Sequence, residues 1–150
     1  MAIDLQQVIT ILDESLDIDL YLDENQSCKI LLNDKISVQI EVDPSRQYMI
    51  FASEIFILPP GKFREMVLKG AILANYGKDK ELGSFSYLPK TCALMLHEFF
   101  PIHFIQESEV FDLFARFSTK ALFWKDHLDR NTIPQSAAHE PAQPNPFGIR

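Results

Sequence analysis

The sequence contains little glycine, little cysteine and no long apolar run. Only 5 of its 150 residues are Gly and 2 are Cys, which excludes a collagen-like repeat and a disulfide-stapled scaffold. Cys28 and Cys92 lie in separate alternating apolar segments, so we expect reduced, buried thiols rather than a disulfide or a metal pair. Apolar runs such as residues 55–58 are far shorter than the roughly 20 residues that cross a bilayer. A membrane-spanning protein is therefore not expected.

Positive charge is also scarce. The 14 Lys and Arg residues against 21 Asp and Glu leave a net charge of −7, and no stretch gathers the basic side chains that nucleic-acid binding requires. The first 28 residues carry seven acids and neither Lys nor Arg, which is the reverse of a signal or transit peptide. We expect a cytoplasmic protein that binds no nucleic acid and no membrane.

Apolar residues are present in an ordinary globular proportion, 47%, with 12 Phe against a single Trp. Such an excess of Phe requires either a deep core or an exposed, adhesive surface. Because folded domains usually contain about 100 to 200 residues, the chain length suits one domain.

The periodicity of the apolar residues predicts an α+β fold. Asp4 and Gln7 form a capping-box pattern before an amphipathic stripe, and alternation such as that of residues 36–42 predicts strands. In chain order the predicted elements are a helix from Leu5 to Leu16, strands at 28–32, 36–42 and from 48 onward, a helix over 61–77 with Gly77 as its C-terminal cap, two strands within 83–101, and a helix capped by Ser108 that runs to Leu128. The order helix, three strands, helix, two strands, helix predicts an antiparallel, twisted sheet covered by helices.

The second predicted helix is apolar on more than one side. One side is lined by Phe63, Met66, Val67, Gly70, Ala71 and Ala74, and Leu68, Ile72 and Leu73 widen the apolar surface beyond a normal stripe. We predict two packing partners for this helix. The pattern leaves open whether its small residues meet another subunit or only the helix's own sheet.

The composition changes after residue 130. Residues 131–150 contain four of the nine prolines and only two charged residues, which predicts a flexible Pro-rich tail. We therefore predict one domain over residues 1–130, followed by this tail.

No pattern in the sequence predicts catalysis. His97 and His103 are six residues apart, outside the spacing of a helical zinc pair, while His127 lies on the last helix and His139 in the tail. The phosphate-loop, dinucleotide and nucleophile-elbow motifs are missing as well. We expect no enzyme, no metal and no cofactor.

Several strings and their order resemble the class I type III secretion chaperones, small homodimeric proteins that hold effectors before export. The similarity covers most of residues 1–128. The matching pieces are the opening helix, the alternating pair CKILLND and ISVQIEVD, Leu58-Pro59 before a helix that closes in Leu73-Ala74-Asn75, and finally Phe117, Ala121, Trp124 and Lys125. The tail beyond Arg130 is an addition to the family pattern.

The resemblance implies a virulence-associated chaperone that binds the N-terminal segment of one or more effectors in extended form, without ATP, and keeps them soluble. Strand addition and a large apolar contact suit such a client. The implied partners are secreted effectors, a second copy or a paralogous chaperone, and as a further option the secretion ATPase or sorting platform. The implied dimer interface lies on the second helix and the strand near 85–88, at Phe63, Met66, Val67, Gly70, Ala71, Ala74, Phe85 and Tyr87.

For the effector we predict contacts on one edge of the first helix and on the sheet. The residues are Leu5, Ile9, Leu12, Ile30, Leu32, Ile50 and Phe51. Periodicity identifies these positions as apolar faces and leaves open whether they are contact surface or ordinary core. The alternative function is a non-catalytic adaptor or regulatory protein of the same fold, which binds a folded partner from the secretion apparatus or from transcription control, in one version as a heterodimer.

Overall fold

A computed structural model describes residues 3–76 and 82–134. The helices are α1 (Leu5–Leu16), α2 (Lys62–Asn75) and α3 (Val110–Asp129), and the strands are β1 (Ser27–Leu32), β2 (Ile36–Val42), β3 (Tyr48–Ile57), β4 (Ser84–Leu88) and β5 (Ala93–Pro101). The predicted order of helices and strands is confirmed. Gly77, His139 and residues 135–150 of the predicted tail lie outside the described residues.

The five strands form one sheet in the order β1-β2-β3-β5-β4, and every neighbouring pair is antiparallel. The predicted antiparallel α+β fold is confirmed. Because β5 lies between β3 and β4, the two edges of the sheet are β1 and β4. On one face the strand side chains, such as Ile30, Ile40 and Phe51, are buried in a core shared with the helices. On the other face the alternating residues reach solvent.

Local signals explain where α1 begins and ends. The Gln7 N–H donates to Asp4 Oδ1 (2.8 Å) and the Asp4 N–H donates to Gln7 Oε1 (2.8 Å), which completes the predicted capping box. The helix ends at Asp17, whose backbone is left-handed, with φ 53°. The side chains of Leu5, Val8, Ile9 and Leu12 are buried, so the amphipathic stripe is the face that packs into the core.

Phenylalanine builds the centre of the core. Phe51 of β3 contacts three other rings, with centroid distances of 4.9 Å to Phe100, 6.1 Å to Phe114 and 5.6 Å to Phe117. All three pairs have the edge-to-face geometry that aromatic quadrupoles favour. A deep core between the sheet and α3 therefore contains four of the 12 Phe residues.

The start of α3 differs from the prediction. Ser108 is not its N-cap, because a 3-10 turn, Glu107–Glu109, precedes the helix and Glu109 occupies the cap position. The reciprocal capping bonds are made one turn earlier, where the Gln106 N–H donates to Glu109 Oε2 at 3.1 Å. A serine followed by acidic residues is a capping pattern for a 3-10 helix as well as for an α-helix. The sequence alone therefore did not locate the N-cap of α3.

The chain just beyond α3 packs against the folded body. The Thr132 N–H donates to the His127 carbonyl at 2.9 Å, Ile133 packs against the core and Pro134 is buried. Ile133 also contacts α2, since a Cβ placed on Gly70 would lie 2.8 Å from its Cγ2. Residues 131–134 thus belong with the folded part of the chain, four residues beyond the boundary predicted from proline content.

Candidate functional site

β1 is a sheet edge whose backbone is open to a further strand. The Ser27 N–H donates to Asp23 Oδ1 (3.0 Å) and the Asp23 N–H donates to the Ser27 carbonyl (2.8 Å), so the Ser27 backbone groups point away from β2. Alternation along an antiparallel strand turns the N–H and C=O groups of Lys29 and Leu31 to the same side. The intervening residues pair with β2. Beyond Ser27, this edge therefore offers two residues for backbone pairing.

Asp23 orders the loop that leads into this edge. Its carboxylate also accepts from the Asn25 N–H (2.8 Å) and from the Ser27 hydroxyl (3.1 Å). The hydrogen bond from the Ser27 N–H, followed by the weaker ones, lowers the pKa of Asp23 because it stabilises the charged form. Where the same loop leaves α1, Asp13 Oδ2 of the helix accepts the Leu20 N–H at 2.9 Å. The carboxylates of this segment thus act as hydrogen-bond acceptors for the loop's own backbone.

Apolar side chains are exposed on the helix-free face of the sheet. Leu31, on the open edge, is 60% exposed. Tyr48 of β3 and Phe99 of β5 pair their rings at a centroid distance of 6.4 Å, and Ile50 lies opposite Phe99 in the register. An open strand edge and an aromatic cluster therefore occur on the same sheet, separated by the more polar face of β2.

The predicted effector contacts fall into two groups. Leu32 and Ile50 keep part of their surface accessible. The others are buried in the core of the chain, namely Leu5, Ile9, Leu12, Ile30 and Phe51. These five are not surface positions, because an apolar stripe on a helix or strand is the face that packs against the rest of the fold. The strand side chains that reach solvent, such as Leu31 and Phe99, lie at the alternate positions, which point to the other face of the sheet.

The predicted dimer contacts divide in the same way. Val67, Ala71 and Phe85 are buried within the chain, and the Phe85 ring lies 4.4 Å from that of Trp124. The members with accessible surface are Phe63, Met66, Gly70, Ala74 and Tyr87. Because Gly70 also faces Ile133 and Trp124, the small-residue patch on α2 is filled in large part by the chain's own C-terminal segment.

The solvent side of α2 carries apolar residues that the dimer prediction left out. Ile72 is 56% exposed, Tyr76 at the C-cap is 81% exposed, and Leu73 is exposed beside them. Ile72 and Leu73 are two of the residues that widen the apolar surface of this helix in the sequence. The signal was therefore present as an excess beyond one stripe. Two of the three excess residues face solvent, as does Met66 of the stripe, whereas Leu68 packs against the core.

A groove of about 700 Å³ lies at the N-terminal end of α1. Apolar side chains in it include Leu22, Val42 and Ile102, and the charged or titratable ones include Arg46 and His103. Since Leu22 directly precedes the Asp23 loop, the groove lies next to the start of the open β1 edge.

The histidines and cysteines are dispersed over the fold. His97 Nδ1 is 3.5 Å from a serine hydroxyl on β4, and His127 Nδ1 is 2.9 Å from Thr132 Oγ1. Cys28 is buried in the core and Cys92 is half-buried in the β4–β5 turn. Within residues 3–76 and 82–134, no three His, Cys, Asp or Glu side chains are grouped to hold a metal ion. In the same ranges no helix has the length and apolarity needed to cross a membrane.

Comparison with known proteins gives matches to structures only. No protein-family model matches the sequence, and no curated protein matches it. A chain of the ExsC–ExsE complex matches with a TM-score of 0.62 and 14% identity, over 83% of this chain and 96% of that one. A chain of the HopA1–SchA chaperone–effector complex matches with a TM-score of 0.59 and 15% identity, over 83% and 98%.

A third match comes from the Yersinia pestis type III secretion chaperone SycH in complex with a stable fragment of YscM2. Its TM-score is 0.58 at 9% identity, over 79% of this chain and 98% of that one. The chain therefore has the fold of the class I type III secretion chaperones, as its sequence resemblance predicted.

Proposed function

We propose that this protein is a type III secretion chaperone that holds the N-terminal segment of an effector in extended form, in the bacterial cytoplasm and without ATP. The observation that carries the proposal is the match of nearly the whole fold to chains from chaperone–effector complexes, with 98% of the matched chain covered in HopA1–SchA.

The open β1 edge supports binding of an extended client. A client strand gains backbone hydrogen bonds from Lys29 and Leu31, and main-chain pairing depends little on client sequence. Leu31, on the outer face of that edge, adds apolar contact at the same place. The adjoining groove lined by Leu22 then receives an apolar client side chain beyond the paired segment. A net charge of −7 keeps such an exposed apolar surface soluble.

Co-purification from the native host, with mass spectrometry, identifies the client. The synthetic N-terminal segment of that client is then titrated against the purified chain. Binding by the isolated segment is the expected result, because an extended client needs no folded domain. If only the folded partner binds, and binding is lost when that partner is denatured, the adaptor alternative replaces the chaperone.

Proline substitution tests the role of the β1 edge. Leu31→Pro removes the outward N–H while the pairing of its neighbours with β2 remains, since proline is tolerated on edge strands. Leu31→Ala is the matched control, because it loses the side chain and keeps the N–H. We expect Leu31→Pro to weaken binding of the client segment more than Leu31→Ala does. Equal affinities for the two variants would place the client elsewhere.

We also propose that the exposed apolar face of α2 pairs two copies of the chain. Isolated apolar residues on a surface are ordinary, but Ile72, Leu73 and Tyr76 form a continuous stretch at one helix end. Ile72→Glu should lower the mass measured by light scattering. Ile57→Glu is the control, because Ile57 is also 56% exposed but lies at the end of β3. A wild-type chain that is already monomeric would contradict the proposal.

A further inference from the structure

The last described residues hold the chain at the C-terminal end of α3. Ile133 packs against the core and Pro134 is buried, while Arg130 Nε donates to the Asp126 carbonyl at 3.1 Å. The carboxylate of Asp126 in turn accepts from Lys35 Nζ at 2.5 Å. Because Lys35 lies in the turn that joins β1 to β2, the chain beyond Pro134 starts from the end of the sheet at which β1 stops.

The sequence beyond Pro134 contains one short segment suited to strand pairing. Phe147 and Ile149 are the only large apolar residues among residues 135–150, and no proline follows Pro146. A spacing of two places both side chains on one face of an extended segment and both N–H groups on one side of it. Residues 135–146 contain three prolines, which favour an extended connection with few backbone donors. The pattern is therefore a proline-rich connection followed by a short strand-forming segment.

The connection is long enough to bring this segment to β1. Residues 135–146 span up to about 37 Å as an extended, proline-rich chain. A helix is about 10 to 12 Å wide, and a strand of the length of β1 is about 20 Å long. Phe147 can therefore cross from the end of α3 to any residue of the β1 edge.

We propose that residues 147–150 pair with the open β1 edge of their own chain, in equilibrium with an open form that accepts the client. Entry from the turn end makes the pairing antiparallel and sets Phe147 opposite Leu31. Ile149 then lies opposite Lys29, so both outward residues of the edge are used. The Phe147 ring packs beside the Leu31 side chain, which is 60% exposed without it.

Charge and the tether favour the same contact. In the antiparallel direction Arg150 comes next to the loop of Asp23 and Glu24 that precedes β1, where opposite charges attract. A short tether holds its segment at an effective concentration of a few millimolar. Even a weak contact, with a dissociation constant of about 1 mM, therefore leaves the edge open in only roughly a quarter of the molecules. The role of the client in this equilibrium rests on the chaperone proposal, whereas the docking is a property of the free chain.

Proline substitution in the full-length chain tests the docking. The test variant is Phe147→Pro with Ile149→Pro, which removes both pairing N–H groups. The matched control is Ala137→Pro with Ala142→Pro, which adds two prolines outside the pairing segment. Both variants leave residues 3–134 unchanged, so neither alters the folded core.

The readout is hydrogen exchange at the β1 edge, measured by NMR without a client. The Lys29 and Leu31 amides should exchange about fourfold more slowly in the wild type and the control than in the test variant. The Ile30 amide, which faces β2, is the internal reference, and the protection should not depend on protein concentration. Because a closed edge is not available to the client, the affinity for the client segment should rise in the test variant by the same factor.

Three results would overturn the inference. One is equal exchange at Lys29 and Leu31 in the wild type and the test variant. Another is protection that grows with protein concentration, since the segment of a second copy would then occupy the edge. The third is protection without any gain in client affinity, since segment and client would then use different sites. A client segment that binds neither chain contradicts the chaperone proposal alone, because the exchange result is obtained without a client.

Discussion

Removal of residues 131–134, which follow the C-cap of α3, should destabilise the protein. The chain truncated after Arg130 loses Ile133, which packs against the core, and the buried Pro134. The matched control is the chain truncated after Pro134. Because the two chains differ by four residues, any difference in melting temperature measures what those residues contribute.

The magnitude follows from the buried side chains. Burial of an isoleucine contributes about 2 kcal/mol, and three buried ring methylenes of proline contribute a similar amount. Three hydrogen bonds from residues 131 and 132 to the carbonyls of His127 and Leu128 add about 3 kcal/mol. The entropy lost on ordering four residues costs about 5 kcal/mol, which leaves about 2 kcal/mol. For a chain of this length that corresponds to a drop in Tm of about 4 to 8 °C.

Differential scanning calorimetry of the two truncated chains is the assay, with chemical denaturation as a check on the free energy. Ile133→Ala in the full-length chain should reproduce a large part of the loss. Equal melting temperatures for the chains ending at 130 and 134 would refute the reasoning, and the Ile133 contact with Gly70 would then contribute nothing measurable. From its proline content we still predict that loss of residues 135–150 alone changes the melting temperature little.

Two further predictions concern a crowded glycine and a charged loop. Gly70→Ala should gain up to about 1 kcal/mol of helix propensity, but the new methyl group would lie 2.8 Å from Ile133 and lose that gain. Stabilisation should therefore appear only in an Ile133→Ala background. Urea titration of the wild type, the two single variants and the double variant measures the coupling, and additive effects would contradict the contact. The pKa of Asp23 is lowered by the Ser27 N–H bond, so its stabilising effect is present above the pKa of an unfolded aspartate and is lost as the pH falls through the folded pKa. Asp23→Asn should therefore lower the urea midpoint of unfolding at pH 7 and have a smaller effect at pH 3. Glu24→Gln, which removes a neighbouring negative charge, is the control. An equal effect of Asp23→Asn at both pH values would argue against a role for the carboxylate charge.

Local periodicity was enough to predict the elements of this fold. Residues 36–42 alternate so regularly that the predicted and observed bounds of β2 coincide, and the Asp4–Gln7 box placed the start of α1. The position of β5 between β3 and β4 could not be derived in this way. Sheet order depends on long-range pairing, which leaves no periodic trace in the individual strand.

The contact residues were harder to predict for a related reason. Ile9 and Ile30 were chosen because they lie on apolar stripes, and a stripe is buried when the fold provides something to cover it. Surface contacts must instead be sought where an apolar residue breaks the pattern. Leu31 is an apolar residue at a solvent-facing position of β1, and Ile72 is an apolar residue outside the main stripe of α2.

The chaperone proposal requires one strand edge that stays open to an extended client. In this fold the two edges are treated differently: α2 places the Asn75 carboxamide on β4, whereas at β1 the Asp23 loop covers only Ser27. Lys29 and Leu31 then remain on the open edge with unpaired backbone groups. The β1 edge therefore presents more unpaired backbone than the β4 edge, where the Asn75 carboxamide already holds both backbone groups of Phe85.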